Sequence, residues 1–378
     1  SRGSRGSRGS KGSLSSGSKQ TRKSRSPSPI KTRKKSRSPP TQPQHPFIGH
    51  RDFMEHLTGY VPPQDLENLS SVSKGTNHSV RKQITALRKK GYALYDGIHD
   101  VNKNATVIVV VSGLKMIKKK AFCNYKNLKS VIIPEGIGVI EDSAFYKCTA
   151  LRSVILPESL NSIKWYAFYK CTALEKVLLP KLLTHLGNSA FAGCTALETV
   201  IFPKSLKRMG EYAFQDCVSL KTVTFPEGLE RIEAKAFNRC TALETVVFPN
   251  SLKCIQPYAF EGCWALKIAK LPKSLTFLGN SAFLGCSIET VVFPKSLKRI
   301  TEDAFRECKS LKTVTFSEGL EFISSAFFGC IALTSMVFPK SLKRIAEDAF
   351  SHCSSLKTVT FSEGIEEIAY KAFFSCKS

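Results

Sequence analysis

Residues 236–258 read AFNRCTALETVVFPNSLKCIQPY, and the same pattern restarts at Ala259 and Phe260. The Ala-Phe pair closes at Phe122, Phe145, Phe168, Phe191, Phe214, Phe237, Phe260, Phe283, Phe305, Phe327, Phe350 and Phe373; nine of the eleven intervals are 23 residues and two are 22. The unit is A-F-x-x-C-x-x-L-x-x-V-x-F-P-x-x-L-x-x-I-x-x-x, held in this copy by Ala236, Phe237, Cys240, Leu243, Val246, Phe248, Pro249, Leu252 and Ile255. One such unit cannot bury its own apolar side chains, but stacked copies share a single core, so a fixed period of this length predicts a solenoid. The Leu243-x-x-Val246-x-Phe248 spacing predicts a strand with Val and Phe inward. The following proline ends pairing and starts a turn, and the Ala-Phe-x-x-Cys stretch predicts a helical turn.

Departures from the period carry information. The short units arise where Ile288 follows Cys286 too soon and at residues 324–327, and Ser317 and Ser362 stand in place of the proline. Ala105, Ile108, Val110, Leu114 and Ile117 fit a degenerate first coil, as expected of an N-terminal cap. The sequence stops at Ser378 in mid-unit without a polar cap, so the expectation is a longer protein or an end covered by another chain.

The repeat resembles the Treponema-type, or BspA-like, leucine-rich repeat, over residues 113–378. That resemblance implies a right-handed leucine-rich-repeat solenoid of about eleven 22–23-residue coils, with a parallel β-sheet on its concave face. It implies a role in binding proteins or surfaces, names no ligand, and does not imply an enzyme.

Two segments precede the array. Residues 1–45 are rich in Arg, Ser, Gly and Pro, with thirteen Lys/Arg and no Asp/Glu, half of the formal net charge of +26. Such a segment cannot bury enough apolar area to offset chain entropy and reads as disordered. Its charge suits RNA through counterion release, and the basic run at residues 31–37 suits an importin. Ser26, Ser28 and Ser38 each precede proline; phosphorylation would subtract charge from these contacts. A solubilising tail is the plain alternative. Residues 46–104 read as a small helical segment, with helices suggested by Phe53, Leu57 and Tyr60, by residues 65–72, and by Val80, Ile84 and Leu87 ahead of Gly91. Residues 57–74, LTGYVPPQDLENLSSVSK, resemble an F-box, although the usual Leu-Pro opening and the aromatic after the lysine are missing. The resemblance implies that Leu57, Pro63, Leu66, Leu69 and Val72 face a Skp1-like adaptor of a ubiquitin ligase; a helical cap on the solenoid is the competing reading.

The chemistry-bearing residues do not assemble into a reactive pattern. Eleven of the thirteen cysteines recur once per unit from Cys148 to Cys376. They lack the C-x-x-C pairs and nearby histidines of a zinc site and read as buried thiols, loosely favouring a reducing compartment. Cys123 and Cys254 lie off that ladder and are the expected reactive thiols. Only His185 and His352 fall in the array, with no Gly-rich phosphate loop and no H-E-x-x-H. No cofactor or metal is expected. The longest apolar run, residues 107–111, is strand-sized, so no membrane span is expected.

The positions flanking the inward Val are the candidate ligand surface: Thr199 and Ile201, Thr222 and Thr224, Thr245 and Val247, Thr290 and Val292, Thr313 and Thr315, Thr358 and Thr360. They suit a weakly polar binding face and equally a solvated sheet of β-formers. Turn charges alternate coil by coil near the C-terminus, which predicts Lys295 beside Glu318 and Lys340 beside Glu363. The leading expectation is a non-enzymatic protein-binding scaffold, nuclear or cytoplasmic, of open oligomeric state. The alternatives are an F-box-type substrate receptor and a BspA-like cell-surface adhesin, the last with Asn68, Asn77 or Asn104 open to glycosylation on a eukaryotic secretory route.

Overall fold

The structure is a computed structural model that describes residues 92–377, and among these residues it contains twenty-five strands and no helix. Each full coil contributes two short strands, and apart from one break in the main ladder and two in the second, each strand pairs in parallel with its equivalent in the next coil.

The main ladder begins with β1 (Ala93–Tyr95) and β2 (Val107–Val110) and continues through β4 (Ser130–Ile132), β6 (Ser153–Ile155), β8 (Lys176–Leu178), β10 (Thr199–Ile201), β12 (Thr222–Thr224), β14 (Thr245–Val247) and β16 (Ile268–Ala269). After an interruption it resumes as β18 (Thr290–Val292), β20 (Thr313–Thr315), β22 (Ser335–Val337) and β24 (Thr358–Thr360). The register is one unit per strand, as in Val200↔Val223↔Val246. The interruption falls where Ala269 occupies the Val position and the next coil is one residue short, with Ile288 taking the buried Leu place. Because β1 already pairs with β2, the main ladder starts upstream of residue 105, and Ile108 belongs to its second rung, whereas Ile117 lies on the first strand of the other ladder. The expected helices at residues 53–87 lie outside the described residues.

The core is one continuous cluster fed by every coil. The Phe of each Ala-Phe pair is fully buried from Phe122 to Phe350, and the rings form a single file: Phe145–Phe168 at 4.9 Å and 6°, Phe191–Phe214 at 5.5 Å and 5°, Phe327–Phe350 at 5.2 Å and 3°. The pre-proline Phe residues make a second file that meets the first edge-on, as in Phe225–Phe237 at 5.4 Å and 80°. Flat rings stacked at the coil repeat fill space without a gap, and the edge-on contacts between files place positive ring edges on negative faces.

The Ala-Phe-x-x-Cys stretch forms a turn and not a helix. The donors alternate: the N–H groups of Ser143, Phe145 and Lys147 reach the carbonyls of Trp165, Ala167 and Tyr169 in the next coil, while those of Ala144, Tyr146 and Cys148 reach three residues back. This satisfies every donor of the stretch, but it needs left-handed backbone at two positions, such as Ser143 (φ 57°) and Lys147 (φ 56°). A helix would direct all six donors within one coil and leave the next coil unbonded. In the second short unit neither Ser324 nor Ser325 is left-handed, and Ala326 N–H turns to the Ser324 carbonyl at 2.6 Å. Where proline is replaced, Ser317 and Ser362 donate their hydroxyls to the carbonyls of Phe293 (2.6 Å) and Phe338 (2.7 Å), one coil back.

Candidate functional site

In the strand triplets from β10 onward the middle residue points into the core and the outer two point out, as period-2 alternation requires. Val200, Val223 and Val291 are buried between exposed or half-buried neighbours. The register gathers the sequence candidates into columns. Thr199, Thr222 and Thr245 are successive partners, as are Ile201, Thr224 and Val247. Beyond the interruption, Thr313 and Thr358 flank Ser335, and Thr315 aligns with Val292. Val337 is paired with Thr360 and is 63% exposed, and Ile268, paired with Thr245, is 60% exposed. Both belong to the same face. Their units lack the Thr-Val pair that marks the other candidates in the sequence.

The face is apolar and hydroxylic, with charge confined to its flank. There the residue before the strand alternates in sign from Glu198 to Lys312, and Lys221 meets Glu198 at 3.5 Å and Lys312 meets Glu289 at 3.0 Å. Exposed pairs of this type add little stability; they neutralise the edge. At the N-terminal end the face is closed: Ser130 and Ser153, in the outward register, are buried and their hydroxyls have no hydrogen-bond partner. An unpartnered buried hydroxyl costs about 1–3 kcal/mol. Lys176 and Leu178 of β8 are half-buried, and fully exposed positions begin at β10.

The turn charges stack differently from the sequence expectation. Neither Lys295–Glu318 nor Lys340–Glu363 forms an ion pair among the described residues. The pairs lie three residues on, at Lys298–Glu321 (3.3 Å) and Lys343–Glu366 (2.8 Å). Glu318 instead accepts the backbone N–H groups of Lys340 (3.2 Å) and Ser341 (3.3 Å). Glu135 does the same for Glu158 and Ser159. These carboxylates cap the next coil's turn.

The cysteines form a hydrogen-bonded ladder. Each consensus thiol donates to the Phe carbonyl one coil back, from Cys148 to Phe122 (3.0 Å) to Cys376 to Phe350 (3.3 Å). A thiol fits this position because the site is buried yet offers one carbonyl lone pair, which an alanine would leave unused. Burial pushes Cys194, Cys308 and Cys353 up to about 12 and raises the other resolved thiols of the ladder. The fully buried ones among them are unreactive at neutral pH. Cys254, expected to be reactive, is buried in β15 (Cys254–Ile255), and burial raises its pKa; Cys123 alone of the two is partly exposed. Among the described residues no cluster of His, Cys, Asp or Glu is placed to hold a metal ion.

The sequence matches the model of the BspA type leucine rich repeat region, in six copies, over residues 115–244, 230–353 and 277–378. The chain belongs to the BspA-type leucine-rich-repeat family. Family and fold are those of repeat scaffolds that serve protein interaction. This BspA-type chain is similar to a leucine-rich-repeat protein of Bacteroides ovatus, with 29% identity, a TM-score of 0.59, and 72% of this chain and 76% of that chain covered. It is also similar to a leucine-rich cell surface protein of Faecalibacterium prausnitzii, with 27% identity, a TM-score of 0.44, and 68% and 79% covered. The leucine-rich-repeat protein of T. pallidum has 30% identity, a TM-score of 0.42, and 44% and 79% covered. No curated protein matches the BspA-type chain. The family match does not reach the F-box-like segment. Leu57, Pro63, Leu66, Leu69, Val72, Ser26, Ser28 and Ser38 all lie outside the described residues. No helix among the described residues is long and apolar enough to cross a membrane.

Proposed function

We propose that this BspA-type chain is a non-enzymatic scaffold that holds a protein partner on the outward strand face from β10 to β24. One observation carries the reading: Thr, Ile and Val side chains stand outward in two aligned columns, with charge kept to the flank, where Lys221 pairs with Glu198 and Lys312 with Glu289. A face of this kind offers apolar contact area and hydroxyl groups at the strand spacing, without a desolvated charge to penalise burial.

Family membership favours display at a cell surface, as an adhesin, over the nuclear or cytoplasmic location that the basic tail suggests. The thiols pose no obstacle to export, since the ladder cysteines from Cys148 to Cys353 are buried and hydrogen-bonded. Protease treatment of intact cells that express the natural gene tests the location. Release of repeat fragments supports surface display, and retention of the product inside intact cells contradicts it. The face is tested with Thr222→Arg/Thr245→Arg. A partner identified with the unaltered chain is lost by this variant and kept by Ser354→Arg, off the strand face; equal retention by both contradicts the assignment.

A further inference from the structure

The second ladder carries a feature that the strand-face reading does not use. Its strands β5 (Val139–Ile140), β7 (Ser162–Ile163), β9 (His185–Leu186) and β11 (Arg208–Met209) align Val139, Ser162, His185 and Arg208 in one outward column. Directly after the buried Ile163 and Ile232 the chain carries Lys164 and Glu233, whereas the two coils between them carry Gly187 and Gly210 after Leu186 and Met209. A β-carbon on Gly187 would lie 2.6 Å from the Lys164 carbonyl carbon, so the coils close up there and leave no side chain above them. Over these glycines lies a hollow of about 920 Å³. The ladder bonds stop at the same place, since β11 does not pair with β13 (Arg231–Ile232). A smaller hollow of about 430 Å³ lies beside Gly279, between Leu278 and Asn280, which ties this shape to glycine at this position.

The lining is charged in an uncompensated way. Lys204, Lys207 and Arg208 enter from one coil and Lys164 from another. None of the four forms an ion pair among the described residues. In the equivalent turns, Lys298, Lys343 and Arg344 each hold a glutamate one coil on. Here the equivalent acid, Glu230, is taken by Lys253 at 2.8 Å, and Glu233 is taken by Arg231 at 3.1 Å. Glu211 also lines the hollow, without an ion pair among the described residues. Trp165 stands at the edge, 57% exposed, and the buried Ser162 hydroxyl beneath lacks a hydrogen-bond partner.

We propose that this hollow binds an acidic segment of a partner protein, with Lys207 and Arg208 holding its carboxylates. Arg and Lys donors in a recess favour carboxylates through charge-assisted hydrogen bonds. Glu211, Glu230 and Glu233 disfavour a densely sulfated polyanion, whereas a peptide brings N–H donors for those acids along with its own carboxylates. Trp165 offers the flat apolar surface on which the peptide's aliphatic side chains pack. The site lies on the second ladder and does not depend on what occupies the strand face.

The test uses the full chain and a short fluorescein-labelled peptide of alternating glutamate and serine, read by anisotropy at 0.15 M salt. A glutamine-for-glutamate peptide and heparin serve as comparison probes. Lys207→Glu/Arg208→Glu removes the cationic pair, and Lys340→Glu/Lys357→Glu makes the same charge change elsewhere, which accounts for binding by the basic tail. The expected result is a loss of about tenfold or more in the first variant and a change within about twofold in the second. Thermal midpoints of both variants show that the fold is retained. Equal effects of the two variants, no effect of the first, or a groove-dependent affinity for heparin but not for the peptide would each overturn the proposal.

Discussion

At the scale of single residues, the period is written in side chains that do one job in every coil. Phe237 is fully buried and touches Phe214 at 5.4 Å and Phe260 at 5.5 Å, as well as Phe225 edge-on. Phe237→Ala opens a cavity shared by three coils, and a loss of about 3–5 kcal/mol in urea unfolding is expected; a loss below about 1 kcal/mol would mean that the ring is not packed. The thiol ladder makes two further predictions. Native chain treated with a thiol reagent at pH 8 reacts at the partly exposed Cys123 and Cys376, and at the remaining cysteines only after denaturation. Rapid modification of Cys240 or Cys254 in the native chain would contradict their burial. The pH dependence follows from linkage. Burial raises the folded-state pKa of the ladder thiols from Cys171 onward, to about 12 at Cys194, Cys308 and Cys353. Between the ordinary thiol range, about 8.5, and that value, the unfolded chain binds fewer protons than the folded one, so stability falls as pH rises. The thiol contribution is fully present below that range and is lost above it. The urea midpoint should be level from pH 7 to 8 and drop from pH 9 to 11, and a level profile throughout would contradict the ladder.

At the scale of elements, strand, proline turn and inward Val were legible in the sequence because they obey a two-residue alternation that one unit displays by itself. The Ala-Phe-x-x-Cys turn was misread as helical because its geometry depends on donors that reach into the next coil, and a local pattern does not reveal them. The start of the array was missed for a similar reason: Ala93–Tyr95 has no Ala-Phe pair, and only its pairing with β2 assigns it to the ladder. The columns of Thr and Val at the candidate surface could be read in advance, but the closure at Ser130 and Ser153 and the hollow over Gly187 and Gly210 could not. Each arises from how several coils meet. Gly187→Ala tests the close approach directly. Its β-carbon would press on the backbone at Lys164 and Trp165, and a loss of about 1–3 kcal/mol is expected, measured by thermal or urea unfolding; a stabilised variant would show that the coils do not approach closely there.

At the scale of the whole molecule, stability is a sum of like contacts between neighbouring coils, and the outer surfaces are free to vary while the core repeats. The files of Phe and Cys are fixed by stacking, and the outward columns and turn charges are not. The two proposed surfaces are separate, since the strand face is neutral and lies on one ladder while the hollow is cationic and lies on the other. All of this depends on coils stacked in register. The direct measurement is an experimental crystal structure of the chain. In-register stacking predicts Phe145, Phe168, Phe191, Phe214 and Phe237 in one file with centroid spacings of 4.9, 5.0, 5.5 and 5.4 Å, each consensus Cys thiol resting on the Phe carbonyl of the coil before it. Phenylalanines dispersed over a globule, or in contact with solvent, would contradict it.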